Sequence, residues 1–232
     1  MKPLQKAILI RESAYLKSQS PHIAYRNRLK GPEQILYIIE SSNVKNSIKL
    51  EARRQYIVAL CAAFETYWRD FFKLMVDLYK IPVEKGSQLN KIVFTFADMR
   101  EIVGRKLTLG ELVTTAYVFQ SLDAVNQAAS EILGIDAFRT FAESKIRVSE
   151  VPRKNRSKKH GKLLQQDVPG KTVFKNISNI EKAFKMRHET VHHTGTRYRP
   201  SQRDVLKFDG EMFNFKFYFS SFVDSRARKL KN

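Results

Sequence analysis

Apolar residues return every three or four positions along most of this chain, which is the spacing of one face of an α-helix. The pattern is clearest over residues 47–80. There Ile57, Leu60, Cys61, Phe64, Trp68, Phe71, Met75 and Leu78 form a single stripe, and Pro82 ends it. Its aromatic content predicts the central helix of a bundle. Upstream, residues 1–46 read as an arm of short helices, broken at Gly31-Pro32, with Ile35, Leu36, Ile38 and Ile39 after the break. Downstream, residues 83–107 read as a loop and one short helix over 99–103 capped by Asp98. Thr108 and Glu111 have the spacing of a capping box, which opens a helix running through Leu112, Val113, Tyr117 and Phe119. Ser121 caps a further helix closed by Gly134, and Asp136 caps a short one carrying Phe138 and Phe141.

The last third changes character and then returns to helix. Residues 145–171 hold nine Lys and Arg side chains against Glu150 and Asp167, with Pro152 and Pro169-Gly170 at the borders. That composition predicts a flexible charged loop inserted into the bundle. A helix follows over 178–195. Ser178 and Glu181 are spaced as a capping box, Ile180, Ala183, Phe184 and Val191 form its buried stripe, and Gly195 stops it. After Asp209-Gly210, read as a turn, alternating phenylalanines at 213, 215, 217 and 219 suit a strand. Phe215, Tyr218, Phe219 and Phe222 suit a helix equally well, and in a helical chain we take the helix, over 214–228. The expectation is an all-α domain at 47–232 carrying the N-terminal arm and the basic loop.

Charge narrows the partners. The chain of 232 residues has 42 Lys and Arg against 23 Asp and Glu, a net charge of +19. A balance this basic points to a polyanion, with nucleic acid first. The basic loop offers Arg153, Lys154, Arg156, Lys158, Lys159 and Lys162 to a phosphate backbone. The turn after the 178–195 helix adds Arg197 and Arg199 for phosphate and Tyr198 for stacking on a base. The single cysteine, Cys61, sits among apolar residues and reads as a buried hydrophobe, which fits a reducing cytoplasm. No apolar run reaches the ~18–20 residues that span a bilayer, and the first residues do not read as a signal peptide. Internal repeats, a P-loop and a glycine-rich dinucleotide turn are all missing from the sequence.

Candidate chemistry gathers on the 178–195 helix, which holds three of the five histidines. Arg187 falls within its apolar stripe, and a guanidinium turned toward a core needs a partner. His188 and His192 are four apart and so share one face. Two motifs overlap here. His188-Glu189-Thr-Val-His192 matches H-E-x-x-H, in which two histidines hold zinc and the glutamate activates its water. The third-ligand position of that pattern is Tyr198, and Glu211 follows an Asp-Gly pair expected to turn, so this reading lacks a third ligand.

The other motif is Arg187-His-Glu-Thr-Val-His192. It resembles the R-x4-6-H signature of the HEPN superfamily, all-α ribonucleases found in toxin and phage-defence systems, in which a polar residue such as His188 commonly follows the arginine. The segment Phe64–Asp70 is similar to the early helix of that family, whose acidic residue packs toward the motif arginine, and Glu65 would take that role. The resemblance spans about residues 48–225 and implies a helical bundle, a homodimer and metal-independent RNA cleavage with no cofactor. It also implies an antitoxin or other regulatory partner. Some HEPN toxins carry a tyrosine two residues past the motif histidine, where this chain has Thr194. The implied catalytic set is Arg187, His192, His188 and Glu65. The alternatives are a zinc hydrolase using His188, Glu189 and His192, and a non-catalytic nucleic-acid-binding domain.

Overall fold

The structure, a computed structural model, describes residues 20–79, 93–150, 164–175, 177–192 and 198–231. The fold is all-α, with one two-stranded hairpin among the described residues. Helix α1 is Pro21–Ser41, α2 is Asn46–Tyr79, α3 is Phe96–Arg105, and α4 is Leu109–Val113 followed by a 3-10 turn at Thr114–Ala116. Helix α5 is Leu122–Leu133 and α6 is Ala137–Glu143; the hairpin strands are β1, Lys145–Glu150, and β2, Leu164–Pro169. Helix α7 is Lys171–Phe174, α8 is Ile177–His192 and α9 is Gln202–Lys231.

Helix α2 is the centre, as its stripe predicts, although Leu78 at the end of that stripe is 51% exposed. It packs against α1, α4, α5, α8 and α9. Trp68 is fully buried, with edge or stacked contacts to Phe64, Tyr67, Phe71, Phe72, Phe215 and Phe219. Such ring pairs prefer the offset and T-shaped geometries seen here, each adding roughly 0.5–1.5 kcal/mol beyond burial. Cys61 is buried, and burial pushes its thiol far above the ordinary range.

Several expected boundaries move. Helix α1 runs unbroken through Gly31-Pro32. Proline removes one backbone donor and costs ~3 kcal/mol in a helix interior. Burial of Ala24, Tyr25 and Leu29 from the same helix in the core outweighs that local preference. Helix α3 begins earlier than expected because Thr95 is its N-cap, with Asp98 closing the box rather than capping. The box at Thr108 and Glu111 forms, but its helix stops at Val113, and Tyr117 is extended. Ser121, Gly134 and Asp136 cap as predicted; Gly134 takes the left-handed conformation at φ 66°.

The basic stretch is not simply a loop. Its flanks pair as an antiparallel hairpin, Lys145 opposite Pro169 and Glu150 opposite Leu164. The hairpin leaves and re-enters the bundle at one point, where Gly170 N–H donates to the Ser144 carbonyl at 2.8 Å. Gly170 touches the backbone of α6 so closely that a Cβ would lie 1.9 Å from the Phe141 oxygen. Ser178 lies inside α8 rather than capping it, and Val191 is 55% exposed rather than in the stripe. Pro82, Gly195 and the bulk of the basic stretch, residues 151–163, lie outside the described residues.

The largest revision is α9. It starts at Gln202, and Asp209-Gly210 lies within it instead of turning. Ser201 and Asp204 make reciprocal cap bonds, 3.0 Å from the Ser201 N–H and 3.1 Å from the Asp204 N–H. From there Val205, Phe208, Met212, Phe215, Phe219, Val223 and Ala227 form one continuous buried stripe. The same helix also buries Lys216 to 1% exposure among rings. Its ammonium lies 3.8 Å from the Tyr25 centroid and 4.9 Å from those of Tyr67 and Phe213. Burial, helped by the nearby Arg26 charge and opposed by Asp209, brings its pKa down to about 8.

Candidate functional site

Helix α8 lies against α2 through Ile180, Ala183, Phe184 and Met186, with the Phe184 ring 5.9 Å from Phe64. Continuing that face brings Arg187 to Glu65 of α2. Arg187 Nη1 and Glu65 Oε1 are 2.7 Å apart, with the side chains 23% and 11% exposed. The contact is a close ion pair in which Oε1 makes no hydrogen bond, and the buried Arg187 Nε makes none either. At this distance Glu65 neutralises the guanidinium through Nη1.

Glu65 sits among further polar groups. Burial pushes its carboxyl above the ordinary range, while Arg187, Arg69 and a hydrogen bond from Gln120 pull it back. Burial likewise lowers the Arg69 pKa, against the pull of Asp70 and Glu65. Asp70 accepts from both Nη atoms of Arg28 at 3.4 Å, tying the row to α1. The result is a line of alternating charge, Arg187, Glu65, Arg69, Asp70 and Arg28, crossing from α8 over α2 to α1.

His188 and His192 occupy the adjoining face and are exposed. Their ring centroids are 4.7 Å apart, the contact expected of residues four apart on a helix. Arg187 and His192 differ by about 140° around an ideal helix axis. Arg187 accordingly faces α2 while His192 faces solvent. Among the described residues no group of three or more His, Cys, Asp and Glu side chains could hold a metal ion. Glu211 lies on α9, not in a turn.

Residues 198–200 are held by two arginines near the start of α2 that sequence reasoning missed. Arg54 donates from Nε and Nη2 to the Tyr198 carbonyl at 3.2 and 2.8 Å. Arg53 donates to the Pro200 carbonyl at 3.4 Å and is held in turn by a bidentate pair with Glu40, at 2.6 and 3.0 Å. Tyr198 is partly buried and packs against the core, while Arg199 is exposed. Arg197 and the loop residues Arg153, Lys154, Arg156, Lys158, Lys159 and Lys162 lie outside the described residues. Gln120 was also missed, since an exposed glutamine in a bend carries no pattern. Arg69 was visible only as an i,i+4 neighbour of Glu65. Among the described residues no helix is long and apolar enough to cross a membrane.

No protein-family model matches this chain, and no curated protein or solved structure matches it.

Proposed function

We propose that this chain is a metal-independent RNA endonuclease of the HEPN type, acting as a toxin or defence effector. The observation that carries the reading is the Arg187–Glu65 pair at 2.7 Å, next to the exposed His188 and His192 at the end of the same helix. An arginine neutralised from a second helix, with 23% of its side chain exposed beside two exposed imidazoles, can turn a free edge of its guanidinium to a phosphate. The net charge of +19 draws RNA toward it.

In this reaction the ribose 2′-hydroxyl attacks the adjacent phosphorus. His192 takes the hydroxyl proton, since an imidazole can accept and return a proton near neutral pH. Arg187 balances the charge that grows on the phosphorane oxygens. The bond from phosphorus to the 5′-oxygen breaks, His188 or the partner's imidazole supplies that oxygen with a proton, and the products are a 2′,3′-cyclic phosphate and a 5′-hydroxyl. DNA has no 2′-hydroxyl and is not a substrate by this route. The divergent directions of Arg187 and His192 favour a cleft between two copies, each providing one face. The basic residues between 150 and 164, with Arg197 and Arg199, supply backbone contacts that do not read sequence.

The test is incubation of the full chain with RNA in excess EDTA, beside His192→Ala. Cleavage in EDTA that is lost in the variant supports the reading. Salt-sensitive binding with no cleavage by either protein replaces it with a nucleic-acid-binding role, and cleavage unaffected by the substitution removes His192 from the chemistry.

A further inference from the structure

Helix α3 has the chemistry of a docking element. It is capped at both ends, by the Thr95–Asp98 box and by Lys106 in the left-handed conformation, whose N–H returns to Ile102 and Val103. It therefore has defined ends without help from the bundle. Yet none of its ten residues is buried. Phe96, Met99 and Val103 fall within ~60° on one face, and they are 81%, 47% and 72% exposed. A short helix that spends three apolar side chains on solvent gains nothing in the isolated copy. Burying them would gain on the order of 25 cal/mol per Å².

The same chain carries an apolar groove of matching scale. It lies between the end of α1 and the start of α2, has a volume of about 540 Å³, and is lined by Ile35, Leu36, Ile39, Ile48, Ala52 and Tyr56. Ile35 is 60% and Ile48 47% exposed, so the groove walls are open. The flanking charges are opposite in sign: Arg100 and Lys106 border the apolar stripe of α3, while Glu51, ion-paired to Arg54 at 3.5 Å, stands at the groove with its side chain 54% exposed. Glu33 lies in the adjoining hollow of about 260 Å³ with Asp209.

We propose that α3 of one copy seats its Phe96–Met99–Val103 face in the α1–α2 groove of a second copy, and that the exchange is reciprocal. Area decides for reciprocity. A helix of ten residues is about 15 Å long, and one face of it buries on the order of 350 Å² per partner. A single docked helix thus falls short of the ~1,200 Å² total of a specific interface, whereas two exceed it. One-way docking would leave a free helix and a free groove at the ends and build open chains, while mutual exchange closes as a two-fold dimer. The inference does not rest on the ribonuclease reading, because its surfaces lie on α1, α2 and α3 rather than on α8; the two share only the expectation of a dimer, and the linked pair and cleavage in EDTA test them separately.

The experiment uses the full chain. Mass is measured by light scattering over ~1–100 µM for wild type, Val103→Asp and Ile35→Asp. In parallel, a Val103→Cys chain and an Ile35→Cys chain are oxidised separately and mixed; Cys61 is buried and stays silent. The expected results are a wild-type dimer, at least a tenfold weaker dimer in each Asp variant, and a disulfide-linked pair that forms in the mixture and not in either chain alone. The disulfide test does not depend on the Asp variants folding. A wild-type chain that stays monomeric throughout overturns the proposal. So does a linked pair of two Ile35→Cys chains, which would mean groove against groove, or a mixture that gives no linked pair.

Discussion

Replacing Lys216 with methionine should stabilise this protein at neutral pH and remove a pH dependence at alkaline pH. The ammonium is 1% exposed and has its pKa lowered from the ordinary 10.5 to about 8. Below pH 8 the lysine is charged in both the folded and the unfolded chain, and the folded chain carries the whole desolvation cost. At 1.36 kcal/mol for each tenfold change, that cost is about 3 kcal/mol. The rings of Tyr25, Tyr67 and Phe213 offset it, since a desolvated cation–π contact contributes ~2 kcal/mol. The net gain on Lys216→Met is then ~1–2 kcal/mol at pH 7, a rise of about 2–6 °C in melting temperature for a domain of this size. Between pH 8 and 10.5 the folded lysine has lost its proton while the unfolded one keeps it. At this site the unfolded chain binds more protons, so the Lys216 contribution to wild-type stability rises with pH and the gap to the variant closes. The buried neighbours also titrate in that window, but in the same way in both proteins, so the difference between wild type and variant isolates Lys216. Burial raises the Tyr25 and Tyr67 hydroxyls and the Cys61 thiol well above their usual range, and His22 is pushed down by burial and by Lys216. Urea unfolding of both proteins at pH 7, 8.5 and 10 reads the difference directly. A variant less stable than wild type at pH 7, or a gap that does not change with pH, would refute the reasoning.

Other outcomes follow from the site and its surroundings. Arg187→Ala and His192→Ala should each abolish RNA cleavage with the helical circular dichroism unchanged, and a mixture of the two chains should regain partial activity if the cleft is composite. A Glu65→Leu substitution leaves Arg187 without its counter-charge, which costs ~3–5 kcal/mol for a buried pair and about 2 here, given the 23% exposure of the arginine; chemical denaturation measures it, and a loss under 0.5 kcal/mol would mean that the pair is solvated. Neutralising Lys154, Arg156, Lys158 and Lys159 should flatten the plot of log affinity against log salt by about 0.7 for each single-strand phosphate that these side chains no longer neutralise. An Arg54→Ala change removes both donors to the Tyr198 carbonyl and should raise backbone hydrogen exchange around residues 198–200, with the protection of α2 unchanged.

Periodicity made α2 legible almost residue for residue, because a long helix buried on most of its face leaves its stripe in the sequence. The same logic paired Arg187 with Glu65, through the likeness to a family whose early helix carries such an acid, and the ion pair is present. The misses have physical causes. Gly31-Pro32 and Asp209-Gly210 are strong local breakers, yet both lie inside helices whose burial outweighs a few kcal/mol of propensity. The box opening α9 uses aspartate at its third position instead of the more usual glutamate, so its start at Ser201 went unread. Strand pairing at 145–169 connects residues across a highly charged insert, and the alternation of Ile146 and Val148 with Lys145, Arg147 and Ser149 is too short to stand out beside it. Contacts such as Arg54 to a backbone carbonyl leave no trace in residue type at all.

The junction at Ser144 and Gly170 has a consequence for how this protein could change over time. Both strands of the basic arm meet the bundle at one backbone hydrogen bond, beside a position where only glycine fits against Phe141. Beyond Ile146, which still packs against the core, the insert can grow, shrink or be rewritten while the helices keep their packing. Doubling the length of such a loop costs only ~0.6 kcal/mol in closure entropy. The arm's reach and charge can therefore be tuned to a different polyanion almost independently of stability, and the heaviest constraint falls on one small, uncharged residue at its root.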